Sequence, residues 1–179
     1  MKGFTLVELM ATILLAVIIS SIGIPSMFNL YDRHKTSTEI RHFKQMLERS
    51  RLLSINSTQF ITICPMISLQ CSSNWSLPFT IFADLNNNLM VDHNESIIMQ
   101  FEQPQEGQWI TRNNISTGIE FTPDGHAYGS ASTLVYCPNS RNDEHARQLI
   151  ISFQGRIRIN EYLSSTGVPY RSLGSLICS

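Results

Sequence analysis

Residues 4–24 read FTLVELMATILLAVIISSIGI, an apolar run broken by one ionisable side chain, Glu8. At about 1.5 Å of rise per residue, a helix of this length just crosses the hydrocarbon layer of a bilayer. A cleaved secretory signal fits poorly although Lys2 supplies a positive start. The run is longer than an ordinary signal core, begins at the fourth residue, and is followed by no A-x-A site. An anchoring helix, residues 4–25, is the better reading. Its carboxylate then needs a partner, because an unpaired acid at the centre of a membrane helix costs roughly 2.5–3.5 kcal/mol.

Outward from this run the chain changes character once. Pro25 follows it directly and is expected to bend the helix, since proline removes a backbone donor. Residues 26–53 keep helical spacing, with Ile40, Phe43, Leu47 and then Leu53 or Ser54 on one stripe and Arg41, Lys44, Glu48 and Arg51 elsewhere. From Gln59 the sequence breaks into short runs of β-formers, among them QFITIC, LPFTIFA, ESIIMQF, STLVYC, RQLIISF and RIRINEY, separated by Asn, Gly, Pro and Ser. The expectation is an α+β chain: one long helix, residues 4–53, packed on an antiparallel sheet head, residues 54–179. With 179 residues, 42 % of them hydrophobic, and no repeat or low-complexity linker, a single head is expected.

Four cysteines, at 64, 71, 137 and 178, all fall in the head. Three connectivities are possible. Cys64 and Cys71 flank a short polar loop and form a natural local pair, which leaves Cys137 to tie down the C-terminal tail through Cys178. No C-x-x-C occurs, and no histidine has ligand spacing to the cysteines, so disulfides outside the cytoplasm are favoured over a metal site. A second metal candidate is DLNNNLMVDHNE, residues 84–95. It sets Asp84, Asn86, Asn88, Asp92 and Glu95 at the spacing of a calcium loop, but Leu89 sits where the sharp turn wants glycine. The alternative is a hairpin loop held by its own Asn and Asp side chains.

The five histidines join no nucleophile or metal motif, and neither G-x-S-x-G nor a glycine-rich phosphate loop is present. His126 beside Asp124 reads as a turn. Binding, not catalysis, is therefore expected, with no cofactor. A formal charge of −1 conceals two unlike regions. Residues 84–124 carry seven acids and one base; residues 141–171 carry five arginines and three acids. Within the second region, LIISF and RIRIN flank Gln154 and Gly155, and so form a hairpin with Gly155 supplying a positive φ. Alternation then puts Arg156 and Arg158 on one face and Ile157 and Ile159 in the core. Neighbouring guanidinium forks suit phosphate groups.

Two sets of residues carry a family resemblance. KGFTLVEL, residues 2–9, resembles the class III signal of type IV pilins and type II secretion pseudopilins. The resemblance implies processing by a prepilin peptidase between Gly3 and Phe4, leaving a leader of residues 1–3, and methylation of the new Phe4 terminus. It also implies a filament-assembly role for Glu8, paired with the terminal amine of a neighbouring pilin subunit. Further on, Cys64, Cys71, Trp75, FADLNNN (82–88), FTPDGHAYG (121–129), LVYC (134–137) and GRIR (155–158) follow in the order of the FimT/GspH family. Leu89 replaces that family's usual glycine. In FimT-like minor pilins the G-R-x-R element is associated with binding extracellular DNA in natural transformation. The resemblance thus implies a DNA site at Gly155, Arg156 and Arg158, assisted by Arg171 or Arg147. It implies a chain held in the inner membrane with its head in the periplasm, then built into a pilus or pseudopilus. A type II secretion or pilus-initiation role in assembly, without DNA binding, is the alternative.

Overall fold

The computed structural model describes residues 5–102, 107–112, 117–129, 131–139, 145–160 and 178, except the side chains of 22–26, 29 and 112. Helix α1 runs Leu6–Ser57, four residues beyond the expected end, and its helical pattern continues through Pro25. Thr5 caps it. The Thr5 amide and hydroxyl donate to Glu8 Oε2 at 3.4 and 3.3 Å, and the Glu8 amide donates to Thr5 Oγ1 at 3.3 Å. This reciprocal pair is a capping box, which satisfies amides that the first helical turn leaves free. Glu8 therefore has a partner within its own chain.

The chain divides into two units, Met1–Lys35 and Thr36–Ser179. In the first, the helix displays Leu6, Val7, Ile13, Leu14 and Ile19 to the surroundings. Among the described residues no helix is long and apolar enough to cross a membrane. The second unit includes the latter half of α1, which supplies part of its core: Ile40, Phe43, Met46 and Leu47 are all buried. Between the two candidates for the end of that stripe, Ser54 is buried and Leu53 is exposed. The 36–40–43–47–50–54 spacing follows the helical period closely. The Ser50 and Ser54 hydroxyls, buried on it, donate to the carbonyls of Met46 and Arg51 at 3.0 and 2.8 Å.

Among the described residues nine strands follow: β1 Ile61–Ile67, β2 Gln70–Cys71, β3 Phe79–Ala83, β4 Ile97–Phe101, β5 Gly107–Arg112, β6 Ile119–Phe121, β7 Ser132–Pro138, β8 Arg147–Ile151 and β9 Ile157–Asn160. They form two antiparallel sheets, in line with the antiparallel head that the sequence implies. The first runs β2-β1-β3-β4 with β6 also on β1; the second runs β5-β7-β8-β9. One aromatic chain ties both sheets to the helix. Phe43 of α1 meets Phe79 of β3 at 5.2 Å and Trp109 of β5 at 4.3 Å, and Trp109 meets Tyr136 of β7 at 5.2 Å. Two disulfides close the head, Cys64–Cys71 and Cys137–Cys178, each with 5.5 Å between Cα atoms. Cys71 faces Met66 across the β1–β2 hairpin, so the local pairing follows from strand register.

Candidate nucleic-acid interface

β8 and β9 form the hairpin that the alternating runs imply, with Ile151 opposite Ile157 and Ile150 opposite Arg158. Its turn is closed by the Gly155 amide donating to Ser152 O (2.8 Å) and the Ser152 amide to Arg156 O (2.9 Å). Gly155 has φ +73°. A three-residue loop with a left-handed last residue is a common way of joining twisted strands. Ile157 is buried, Ile159 packs against the core, and Arg156 and Arg158 are exposed. Two strand positions apart, the arginines sit roughly 6.6 Å from each other along the chain.

The hairpin is docked on the helix by a residue whose role no local pattern reveals. Arg51 Nε donates to Gly125 O at 2.7 Å, and its Nη2 donates to Gln154 O at 3.1 Å. The Ala127 amide adds a bond to Phe153 O at 2.9 Å. Two stretches far apart in the sequence, PDGHA (123–127) and QGRIR (154–158), are therefore one structural unit joined through Arg51. Position 51 flanks the buried 50–54 stripe, and that placement is its only signal in the sequence. Between α1 and β9 lies an open groove of about 770 Å³ bounded by Lys44, Glu48, Arg51, Gly155, Arg156 and Arg158. Four of these are cations against one acid, Glu48, which pairs with Lys44 at 3.1 Å.

Arg147 does not join the pair. Strand alternation puts it on the Leu149–Ile151 face, opposite to Arg158, and its Nη1 donates to Ala146 O at 2.8 Å. Arg171, Gly3 and Phe4 lie outside the described residues.

The Asp84–Glu95 segment links the paired strands β3 and β4. Asp84, fully buried, accepts from the Asn88 and Leu89 amides (3.0 and 3.1 Å) and from Thr62 Oγ1 (3.2 Å). Glu95 accepts from the Leu85 and Asp92 amides (2.8 and 3.0 Å), and Asp92 accepts from the Asn86 and Asn88 side chains (2.8 and 2.9 Å). The carboxylates thus hold the loop through its own N–H groups. Among the described residues no cluster of three or more His, Cys, Asp or Glu is placed to hold a metal ion. Leu89 itself takes the glycine-like conformation, φ 62°. Roughly 1–2 kcal/mol of left-handed strain is offset by the Asp84 bonds and by packing against Cys64, Cys71 and Phe82.

Beside this loop, Glu120 on β6 faces Thr62 across the sheet. Burial, and then the charge of Asp84, push its pKa up to about 7, against a bond from Asn87 that lowers it. Because the unfolded value is 4.5, stability from this carboxyl is complete below pH 4.5 and is lost as pH rises through 7. Glu120→Gln is expected to add about 1–2 kcal/mol at pH 8, discounted for partial exposure, and nothing at pH 4. Urea unfolding at the two pH values measures this.

A model of the family described as Type II transport protein GspH matches residues 39–155, from the core-facing part of α1 to the glycine of the β8–β9 turn. The chain belongs to the GspH family. The matched stretch ends one residue before Arg156. Two crystal forms of the type IV minor pilin FimU of Pseudomonas aeruginosa PAO1 have the same fold as this GspH-family chain. Their TM-scores are 0.58 and 0.55 at 16 and 17 % identity, covering 73 and 69 % of this chain and 91 and 90 % of theirs. The minor pseudopilin EpsH of the Vibrio cholerae type 2 secretion system follows at 0.50 and 12 %, covering 70 % of this chain and 95 % of EpsH. By sequence alone no curated protein matches. These likenesses establish the minor-pilin fold, with the long helix on antiparallel sheets.

Proposed function

We propose that this GspH-family chain is a minor type IV pilin that captures extracellular DNA through Arg156 and Arg158. The observation that carries the reading is the groove: two exposed arginines of the hairpin, whose turn Arg51 pins to the helix, line one open groove with Lys44 and Arg51. Guanidinium forks bind phosphate bidentately, and contacts confined to phosphates are independent of sequence. In the same proposal the leader is removed between Gly3 and Phe4 by a prepilin peptidase, and the whole apolar run 4–25, of which the described residues are only a part, anchors the chain in the inner membrane. That helix later packs among other pilin subunits, with Glu8 exchanging its capping bonds for a neighbour's amine. Many copies along a filament raise avidity.

Full-length protein in detergent micelles, titrated into labelled oligonucleotides, tests the reading. Arg156→Gln with Arg158→Gln is expected to weaken binding at least about tenfold, given the typical strength of charge-assisted bonds. Unchanged binding would overturn the assignment. The fold of EpsH keeps a type II secretion assembly role in view, and absence of DNA binding by the wild type would favour it.

A further inference from the structure

The turn that presents the arginines also presents an aromatic ring. Phe153 is the second residue after β8 and remains 55 % exposed. Single exposed apolar residues are common on protein surfaces and by themselves mean little. This one differs in how it is held. Its carbonyl accepts from the Ala127 amide, the next carbonyl accepts from Arg51, and Ser152 bonds Arg156 across the base of the loop. The ring therefore stands on a backbone fixed from three sides, three residues from Arg156. His126 lies beside it, with ring centres 5.9 Å apart and planes inclined by 51°, which widens the aromatic surface. That imidazole is itself steadied by Asp124, whose Oδ2 is 2.7 Å from Nδ1.

A cationic groove that tracks phosphates, next to aromatic rings on which bases stack, is the arrangement that single-stranded nucleic acid requires. A duplex offers the arginines its phosphates but hides its base faces, and opening a step costs a few kcal/mol. We propose that the turn selects single-stranded over duplex DNA, with Phe153 stacking on an unpaired base while Arg156 and Arg158 hold the neighbouring phosphates. This inference rests on the DNA-binding reading above and deepens it.

The test compares three probes on the full-length protein in micelles: a thymidine 20-mer, an abasic strand of equal length and charge, and a 20-base-pair duplex. Wild type is expected to bind the thymidine strand about tenfold more tightly than the abasic one, the scale of one base stacked on an aromatic ring. Phe153→Ala should erase that preference and leave duplex affinity within about twofold, while Phe153→Trp should keep it. Equal binding of base-bearing and abasic strands by wild type, or equal losses on all three probes in Phe153→Ala, would overturn the stacking role. Arginine-dependent duplex binding would then survive alone. Failure of wild type to bind any probe would overturn the DNA reading and this one with it.

Discussion

Phe43→Ala is expected to cost about 3–5 kcal/mol of stability, the range for truncating a large aromatic in a packed core. The ring is buried and touches Phe79 in one sheet and Trp109 in the other, so its removal opens a cavity where helix and both sheets converge. Neither sheet can close that gap without disturbing the other, because Trp75 packs on Phe79 and Tyr136 on Trp109. Urea unfolding followed by fluorescence of Trp75 and Trp109 measures the loss. Phe43→Leu keeps apolar bulk without the ring pairs and should lose less. A loss below about 1 kcal/mol for the alanine variant would show that the two sheets do not depend on this ring.

Gly155→Ala should also have a large effect, through the backbone. A Cβ at Gly155 would press into the Gly125 carbonyl and come within 2.6 Å of Arg51 Nε, at a φ of +73°. Gly129 is the internal control: its φ is +84°, but a Cβ there meets nothing within 4 Å. Gly129→Ala should therefore cost only the left-handed strain, about 1–2 kcal/mol. Gly155→Ala adds displacement of the turn, lost bonds from Arg51, and a shifted Arg156, for a total of about 3 kcal/mol or more with weakened oligonucleotide binding. Equal costs at the two glycines, read by the same unfolding assay, would show that the docking of the turn on Arg51 is not tight.

Local periodicity made much of this legible. Residues 40, 43 and 47 repeat at helical spacing, and Arg156 to Ile159 alternate as a strand does, so the spacing alone assigns both faces. What stayed hidden depends on contacts between distant segments. Arg51 reads as a solvent-facing charge until the loop at Gly125 and the turn at Gln154 are brought to it. Arg147 reads as a neighbour of Arg156 in a tally of charge, yet strand parity sends it to the other face. Glu120 is one acid among seven until β6 pairs with β1 and sets it near Asp84. The division into two sheets was equally out of reach, since a run of β-formers states that a strand exists and not which strand it joins.

In the proposed function Arg156 and Arg158 contact phosphates. The most direct measurement is the slope of log affinity against log salt for the full-length protein and for the Arg156→Gln, Arg158→Gln variant, on the same oligonucleotide. Each phosphate neutralised contributes about 0.7 to that slope on a single strand and about 0.9 on a duplex. Loss of two contacts should flatten it by about 1.4–1.8 while affinity falls. A variant that binds more weakly with an unchanged slope, or that binds as the wild type does, would contradict phosphate recognition by this pair.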